Sequence, residues 1–323
     1  MLYKTPVFAR MPDRPFAHCA TLVELPDGTL LCAWMGGAFE TAHNVAILAS
    51  RSNPERTAWG TPYEIAQIPG KSAGQPVFSV RPNGELWLFF VAIMDYDWTS
   101  AQPFWQRSLD NGQTWQDCRQ LMDYAGLMFR SKIVELPGRI IVPAYDENTW
   151  QSTMMISEDD GQSWTLTDPM SSTQGNIHPT PVHLEGEHLL AYIRTGGKGG
   201  VIWRSESLDG GAHWTQPAET ALPNPNSGID LIKLQSGALA LAYNPSDHLR
   251  TPISVSLAPE GENWLAPRTI EDEHHEISYP TLLQTRDGDI HLVYTYRREN
   301  IHYARFTEDW LMKGANTDAV SKD

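Results

Sequence analysis

The stretch SLDNGQTW, Ser108 to Trp115, returns as SEDDGQSW (Ser157 to Trp164) and SLDGGAHW (Ser207 to Trp214). In each copy an Asp and a Gly flank the tightest point. Asp accepts hydrogen bonds from nearby backbone amides, and Gly supplies the positive φ that tight hairpin turns require. The Trp opens the next strand and offers a large apolar face. The motif therefore reads as a hairpin between two β-strands. SLAPEGENW (Ser256 to Trp264) is a looser copy, and SNPERTAW (Ser52 to Trp59) keeps only the Ser and the Trp. The Ser positions, 52, 108, 157, 207 and 256, are spaced by 56, 49, 50 and 49 residues.

A second signal precedes each copy. ATLVELPDGTLLCAW, PVFSVRPNGELWLFF, SKIVELPGRIIVPAY, TPVHLEGEHLLAY, DLIKLQSGALALAY and PTLLQTRDGDIHLVY are six β-type runs, each broken at a turn containing Gly. Each is an inner hairpin, and the Ser-to-Trp turn closes an outer one. Four strands per ~50 residues, repeated six times, predict an all-β, six-bladed propeller with four-stranded blades and little helix. The sixth unit lacks the Trp turn, so YKTPVFA near the N-terminus is expected to close the last blade. Residues 1–323 are read as one such domain.

Composition narrows the partners. The formal net charge is -15 over 323 residues. A net negative field disfavours nucleic acid and anionic membrane surfaces, though a local basic pocket can still hold an acidic ligand. No apolar run is long enough to span a bilayer, and no signal-type leader precedes the first strand. Cys19, Cys32 and Cys118 lack metal-ligand spacing and read as reduced thiols, which points to the cytoplasm. No metal site, phosphate loop or cofactor is expected: EDEHHE (271–276) reads as a solvated loop, and GGKGG (196–200) lacks the Ser/Thr and helix of a phosphate-binding loop.

Strand direction alternates within a blade. The Gly turns and Trp turns therefore share one face, and the starts of the first strands, the ends of the second strands and the loops to the third share the other. The first-strand starts supply His18, Gln75, Arg130, His178, Asp230 with Ser227, and Tyr279. The second-strand ends supply Trp34, Tyr145, Arg194, Asn244, and Tyr296 with Arg297. The loops add Glu40, Trp150 and Arg250. Singly, such a Tyr ordinarily packs in a core, such a His is a satisfied structural residue and such an Arg is a solvated rim charge. Their shared register in the repeat gathers them at the mouth of one axial pocket.

The Ser-x-Asp-x-Gly-x-x-Trp turns resemble the Asp-box (BNR) repeats of the sialidase family. AHCATLVELPDGTLLCAWMGG, NPNSGIDLIKL and YPTLLQTRDGDIHLVYTYRR resemble its bacterial exo-sialidase subfamily, and the similarity covers nearly the whole chain. Sialidases bind the substrate carboxylate with three Arg, attack with a Tyr paired to a Glu, and use an Asp as acid/base. The resemblance implies that Tyr279 is the nucleophile and that Arg194 and Arg250 are the second and third arginines. His18 stands where the first arginine falls, His178 where the Glu falls, and Glu40 is the best carboxylate in the loop GGAFETAHN.

The chemistry of these side chains is consistent with an acidic saccharide. Arg194 and Arg250 can make planar, charge-assisted hydrogen bonds to a carboxylate. Trp34 and Trp150 can stack on sugar faces. Tyr279 can attack if His178 or Glu276 takes its proton, and Glu40 or His18 can protonate the leaving oxygen. Hydrolysis of a terminal acidic sugar, sialic acid or a relative, leads. β-Elimination of a uronate by His and Tyr, and acidic-glycan binding without turnover, are the alternatives. Pro280 disfavours the helical region for Tyr279 and predicts an extended backbone there.

Overall fold

The computed structural model describes residues 1–315. Its strands form six antiparallel sheets, the blades of a β-propeller numbered here in chain order. The N-terminal strand Tyr3–Pro6 completes blade 6 by pairing with Asn300–Phe306, Tyr3 opposite Arg305. Helix among the described residues comprises a 3-10 turn at Trp98–Ser100 and a terminal helix, Glu308–Ala315.

The six innermost strands start at Phe16, Ser72, Leu127, Asn176, Asp230 and Ile277. Blade 3 departs from the four-strand expectation, because its innermost strand splits into Leu127–Phe129 and Val134–Leu136. In the gap, Arg130 and Lys132 reach across to blades 6 and 5. Six apolar clusters account for the stacking, each formed mainly where one blade packs on the next. A blade buried on both faces needs near-continuous apolar strands, as in Leu30–Gly37, where every residue is buried. Trp34 belongs to this core. It is fully buried and stacks on Phe8, ring centroids 4.6 Å apart, so it is not free to stack on a sugar.

The Asp boxes explain their own sequence. In the first, Ser108 Oγ donates to Asp110 Oδ1 (2.7 Å) and accepts from Gly112 N (2.8 Å), while Asp110 Oδ1 also accepts from Thr114 N (2.8 Å). The copies at Ser157 and Ser207 repeat this pattern. Each box also grips the preceding blade. Tyr63 Oη donates to Gly112 O (2.9 Å), Arg119 to Gly161 O (2.8 Å) and Arg139 to Gly210 O (2.9 Å). A Cβ on Gly161, which has φ of 83°, would lie 2.8 Å from the Trp87 ring of that preceding blade. The degenerate box at Ser52 uses Arg56 at the seam where the ring closes. Buried Arg56 bonds Asp287 Oδ2 (2.8 Å) and Thr285 Oγ1 (3.1 Å) of blade 6, and Glu24 Oε1 (3.1 Å) of its own blade.

Near the axis, Asp230 is a structural hub and not a ligand contact. Its Oδ1 accepts from Thr180 Oγ1 of blade 4 (3.2 Å), and its Oδ2 from Leu282 N of blade 6 (2.6 Å) and Lys132 Nζ of blade 3. Asn244 is likewise internal, donating to Pro252 O and Ile277 O at 2.8 Å. Ser227 is buried and fixed by Asn224.

Two outcomes test this framework. Asp230→Ala leaves half-buried Lys132 without its counter-charge, and urea unfolding should show a loss of about 3 kcal/mol, the low end for breaking a buried pair. The second concerns acid. Bonds from the Thr114 and Ser163 hydroxyls and amides hold Asp110 and Asp159 down to about 2; burial raises Asp209, but His213 and Ser207 outweigh it and bring it to about 2. These folded values lie below the ordinary carboxylate, so the stabilisation is complete above about pH 4 and disappears as pH falls toward 2. A variant with Asn at all three positions should melt lower than wild type at about pH 6, with the gap closing near pH 2.5.

Candidate functional site

The innermost strands of blades 1, 2, 4 and 6 each carry a bulge near their start, where the pairing register with the second strand shifts. The residue inside each bulge has a left-handed backbone: Cys19 (φ 56°), Gln75 (φ 53°), His178 (φ 55°) and Tyr279 (φ 53°). The expectation of an extended Tyr279 is therefore corrected. Pro76, Pro179 and Pro280 follow three of these residues, and a proline, lacking N–H, fits where a bulge interrupts the ladder. Left-handed backbone in non-glycine residues is strained and persists only where the surroundings impose it. At Tyr279 the surroundings include Arg130, which grips the chain there. This buried guanidinium donates to Tyr279 O (3.0 Å), Pro280 O (3.1 Å) and Thr281 Oγ1 (3.2 Å). Arg130 is thus a strut beneath Tyr279, not a substrate ligand. Gly228 of blade 5 lies so near that a Cβ would be 3.2 Å from the Tyr279 ring.

The bulged residues line a narrow axial cavity of about 80 Å³, well below the ~300–1,000 Å³ of most small-molecule sites. Its lining includes His18, Glu40, Gln75, Tyr145, Trp150, His178, Arg194 and Tyr279, which come from five blades as the repeat register predicted. Wider depressions lie elsewhere, such as one between blades 2 and 3 lined by Arg81, Glu135, Arg139 and Asp160. Arg81 there pairs with Glu135 and Asp160, leaving no cluster of free groups comparable to the axis.

Tyr279 sits at the centre. Arg194 Nη1 donates to its Oη at 2.9 Å, and the guanidiniums of Arg130, Arg194 and Arg250 lie 5.6, 5.5 and 5.6 Å from its ring centroid. The His18 ring centroid is 4.2 Å from that of Tyr279. His18 Nδ1 is bonded to Thr295 Oγ1 (2.9 Å), but its Nε2 is buried without a partner. Gln75 Oε1 is also buried and unpartnered. Burial, followed by the charges of Arg298, Arg250, Arg130 and Arg194, holds His18 well below its ordinary value; burial and Arg194, Arg130 and Arg250 do the same to His178. Both imidazoles are therefore neutral bases at physiological pH.

Neither expected partner of Tyr279 bonds its hydroxyl. His178 Nδ1 faces Arg194 Nη1 (3.2 Å) and its Nε2 faces Tyr145 Oη (3.3 Å). Glu276 is a counter-ion, bonded to Arg250 (3.1 Å), Arg298 (2.8 Å) and Ser278 (2.7 Å). Burial raises its carboxyl, but Arg298, Ser278 and Arg250 outweigh this and bring it below the usual value. Glu40 reaches the cavity but is paired with Arg298.

Arg298 was missed in the sequence in favour of its neighbour. Arg297 is exposed and, with Tyr296, is bound to Glu273 (2.7 and 2.6 Å), away from the axis. Arg297 and Arg298 are consecutive left-handed residues in a tight turn, and only the second swings inward, where its carbonyl also holds Ala17. No repeat signal marks that choice. Glu147 and Trp98 were missed too, although both line the cavity. Glu147 stands two residues beyond Tyr145 in YDENTW, a stretch already marked by Trp150. On the opposite face, Asp287, Asp289 and His291 bring possible ligand atoms within 4.8 Å, but Asp287 is bound to Arg56 and His291 lies between Thr285 and Tyr303. His274 and His275 are exposed, as the loop reading expected.

Comparison with known proteins agrees with this architecture. A family model described as a BNR repeat-like domain matches residues 28–292, and the chain belongs to that family. No curated protein matches it by sequence. A protein of unknown function from Dyadobacter fermentans superposes with a TM-score of 0.79 at 16% identity, covering 94% of this chain and 98% of that one. The intramolecular trans-sialidase of Ruminococcus gnavus, in complex with oseltamivir carboxylate, gives 0.77 at 15%, covering 94% and 97%. The NanB sialidase of Streptococcus pneumoniae gives 0.79 at 12%, covering 94% and 70%. The shared feature is the sialidase-like propeller fold.

The arrangement predicts a specific difference between neighbouring arginines. Arg298→Ala should weaken calorimetric binding of sugar acids by about 1.5–3 kcal/mol, as should Arg194→Ala and Arg250→Ala, because each removes a charge-assisted donor. Arg297→Ala should leave the affinity unchanged.

Proposed function

We propose that the protein is a glycoside hydrolase of sialidase type, acting on a terminal acidic sugar, sialic acid or a relative. The observation that carries this reading is Tyr279, held in a bulge with Arg194 on its hydroxyl and two further guanidiniums about its ring. Arg194, Arg250 and Arg298 bind the sugar carboxylate, with Glu276 fixing the spacing of the last two. Gln75 and Trp150 contact the ring. Tyr279 Oη attacks the anomeric carbon, and His18, whose Nε2 is free, takes the phenolic proton. Arg194 stabilises the charge that develops on the oxygen. The fold shared with a sialidase and a trans-sialidase supports this substrate class, and so does the carboxylate-bearing ligand of the latter.

The same two neutral histidines favour β-elimination as a second reading. A free base beside an arginine-held carboxylate is what abstraction of the proton next to that carboxylate requires. The two reactions leave different products. Screening acidic glycosides and uronate oligosaccharides for released sugar, and for a near-ultraviolet chromophore from an unsaturated sugar, separates them. With the substrate in hand, Tyr279→Phe should lower turnover by at least about a hundredfold with the fold retained. Wild-type turnover in that variant would remove Tyr279 from the chemistry. Binding of an acidic glycan with no turnover by wild type would make the propeller a lectin-like module.

A further inference from the structure

We propose that Glu147 is the proton-transferring carboxylate of this site, acting on the leaving oxygen and then on water. The inference rests on the hydrolytic reading above and assigns the role which that reading leaves open.

Two carboxylates line the cavity, Glu40 and Glu147. Glu40 is paired with Arg298, and Glu276 just outside is held between Arg250 and Arg298. A carboxylate in an arginine pair is a poor proton donor, because the pair stabilises its ionised form. Glu147 differs: among the described residues it forms no ion pair. Burial raises its carboxyl above the usual value, and Arg194 and Tyr145 offset this only in part, while Asp146 and Asp97 push in the same direction as burial. Of the two cavity carboxylates it is the one without an arginine partner, and burial favours its protonated form.

The turn that carries Glu147 is built to hold it still. Glu147 N donates to Gly126 O (2.8 Å), and Trp150 N to Asp146 O (2.8 Å). Asp146 accepts from Asn148 N (2.9 Å), Thr149 Oγ1 (3.0 Å) and Tyr124 Oη (3.3 Å). Asn148 Nδ2 reaches back to Ala125 O (3.0 Å). Such bracing of a short turn is the support a positioned acid/base needs, and Trp150 and Trp98 line the same cavity.

The steps balance. In the first, the glycosidic C–O bond breaks, the departing oxygen takes the Glu147 proton, and a bond forms from Tyr279 Oη to the anomeric carbon as His18 accepts the phenolic proton. In the second, Glu147, now a carboxylate, takes a proton from water as its oxygen attacks the anomeric carbon. The Tyr279 oxygen leaves and regains its proton from His18.

The test compares Glu147→Gln with wild type on two glycosides of sialic acid, one with lactose and one with 4-methylumbelliferone as leaving group. Umbelliferone departs with little help from an acid; lactose does not. The variant should lose at least about a hundredfold in kcat/KM on the lactoside and less than about tenfold on the aryl glycoside. The alkaline limb of the lactoside kcat/KM profile, where wild-type activity falls as Glu147 ionises, should disappear. Azide, which attacks without a base, should restore turnover of the aryl glycoside, and Glu147→Asp should recover part of the lactoside activity. Glu40, His18 and His178 also face the cavity, so the same profile is taken for Glu40→Gln, which should keep the alkaline limb. Equal kcat/KM losses on both glycosides, or an unchanged pH profile, would overturn the role of Glu147 while leaving the hydrolase reading intact. If wild type cleaves neither sialoside, the same pair of leaving groups is placed on each acidic sugar of the screen above; if none is hydrolysed, the hydrolase reading fails and this role fails with it. Circular dichroism and thermal melting of each variant establish that the folded ring is being compared.

Discussion

A single carboxylate near the propeller axis, Asp230, is bonded to side chains or backbone of blades 3, 4 and 6 while its own strand belongs to blade 5. Four of the six blades therefore meet at one residue. A ring of sheets held only by apolar seams could still slide, because apolar contact is non-directional. A buried carboxylate accepting several hydrogen bonds fixes distances and angles. Thr281 continues the stitching, donating to Ala20 O of blade 1 (2.7 Å) and accepting from Arg130 of blade 3. The cavity is built on this frame, and its side chains inherit the frame's rigidity.

The repeat was legible because one short turn carries its mechanism in its residue types. Ser, Asp and Gly at fixed spacing are what the bonds around Ser108, Ser157 and Ser207 require. The face of the site was legible because strand parity is fixed. Individual roles were less so. A polar residue at a strand start near the axis looks the same in sequence whether it turns to the cavity, as His18 does, or to neighbouring blades, as Asp230 and Arg130 do. Trp34 ends a second strand as Arg194 does, but Trp34 faces the seam with blade 6 and Arg194 the axis. Local rules also gave way to tertiary ones. Pro280 favours an extended Tyr279, yet the bulge and the Arg130 strut hold it left-handed. Arg298 and Glu147 lie in turns, where no strand periodicity says which residue points inward.

Electrostatics shows the same contrast between whole and part. The chain carries a formal charge of -15, yet Arg130, Arg194, Arg250 and Arg298 converge on Tyr279 and His18. Glu276 and Glu40 offset part of that charge and hold Arg250 and Arg298 in place before any ligand arrives. Donors arranged in advance need little reorganisation when an anion binds or when negative charge forms on an oxygen.

The strut from Arg130 to Tyr279 spans 149 residues of sequence, and the bond from Thr281 to Ala20 spans 261. During synthesis the backbone of Tyr279 can be clamped only after blade 6 has been made and has docked within reach of Arg130 in blade 3. The cavity at the axis and the closing of the ring are thus completed by the same late event, the docking of blade 6 between blades 5 and 1.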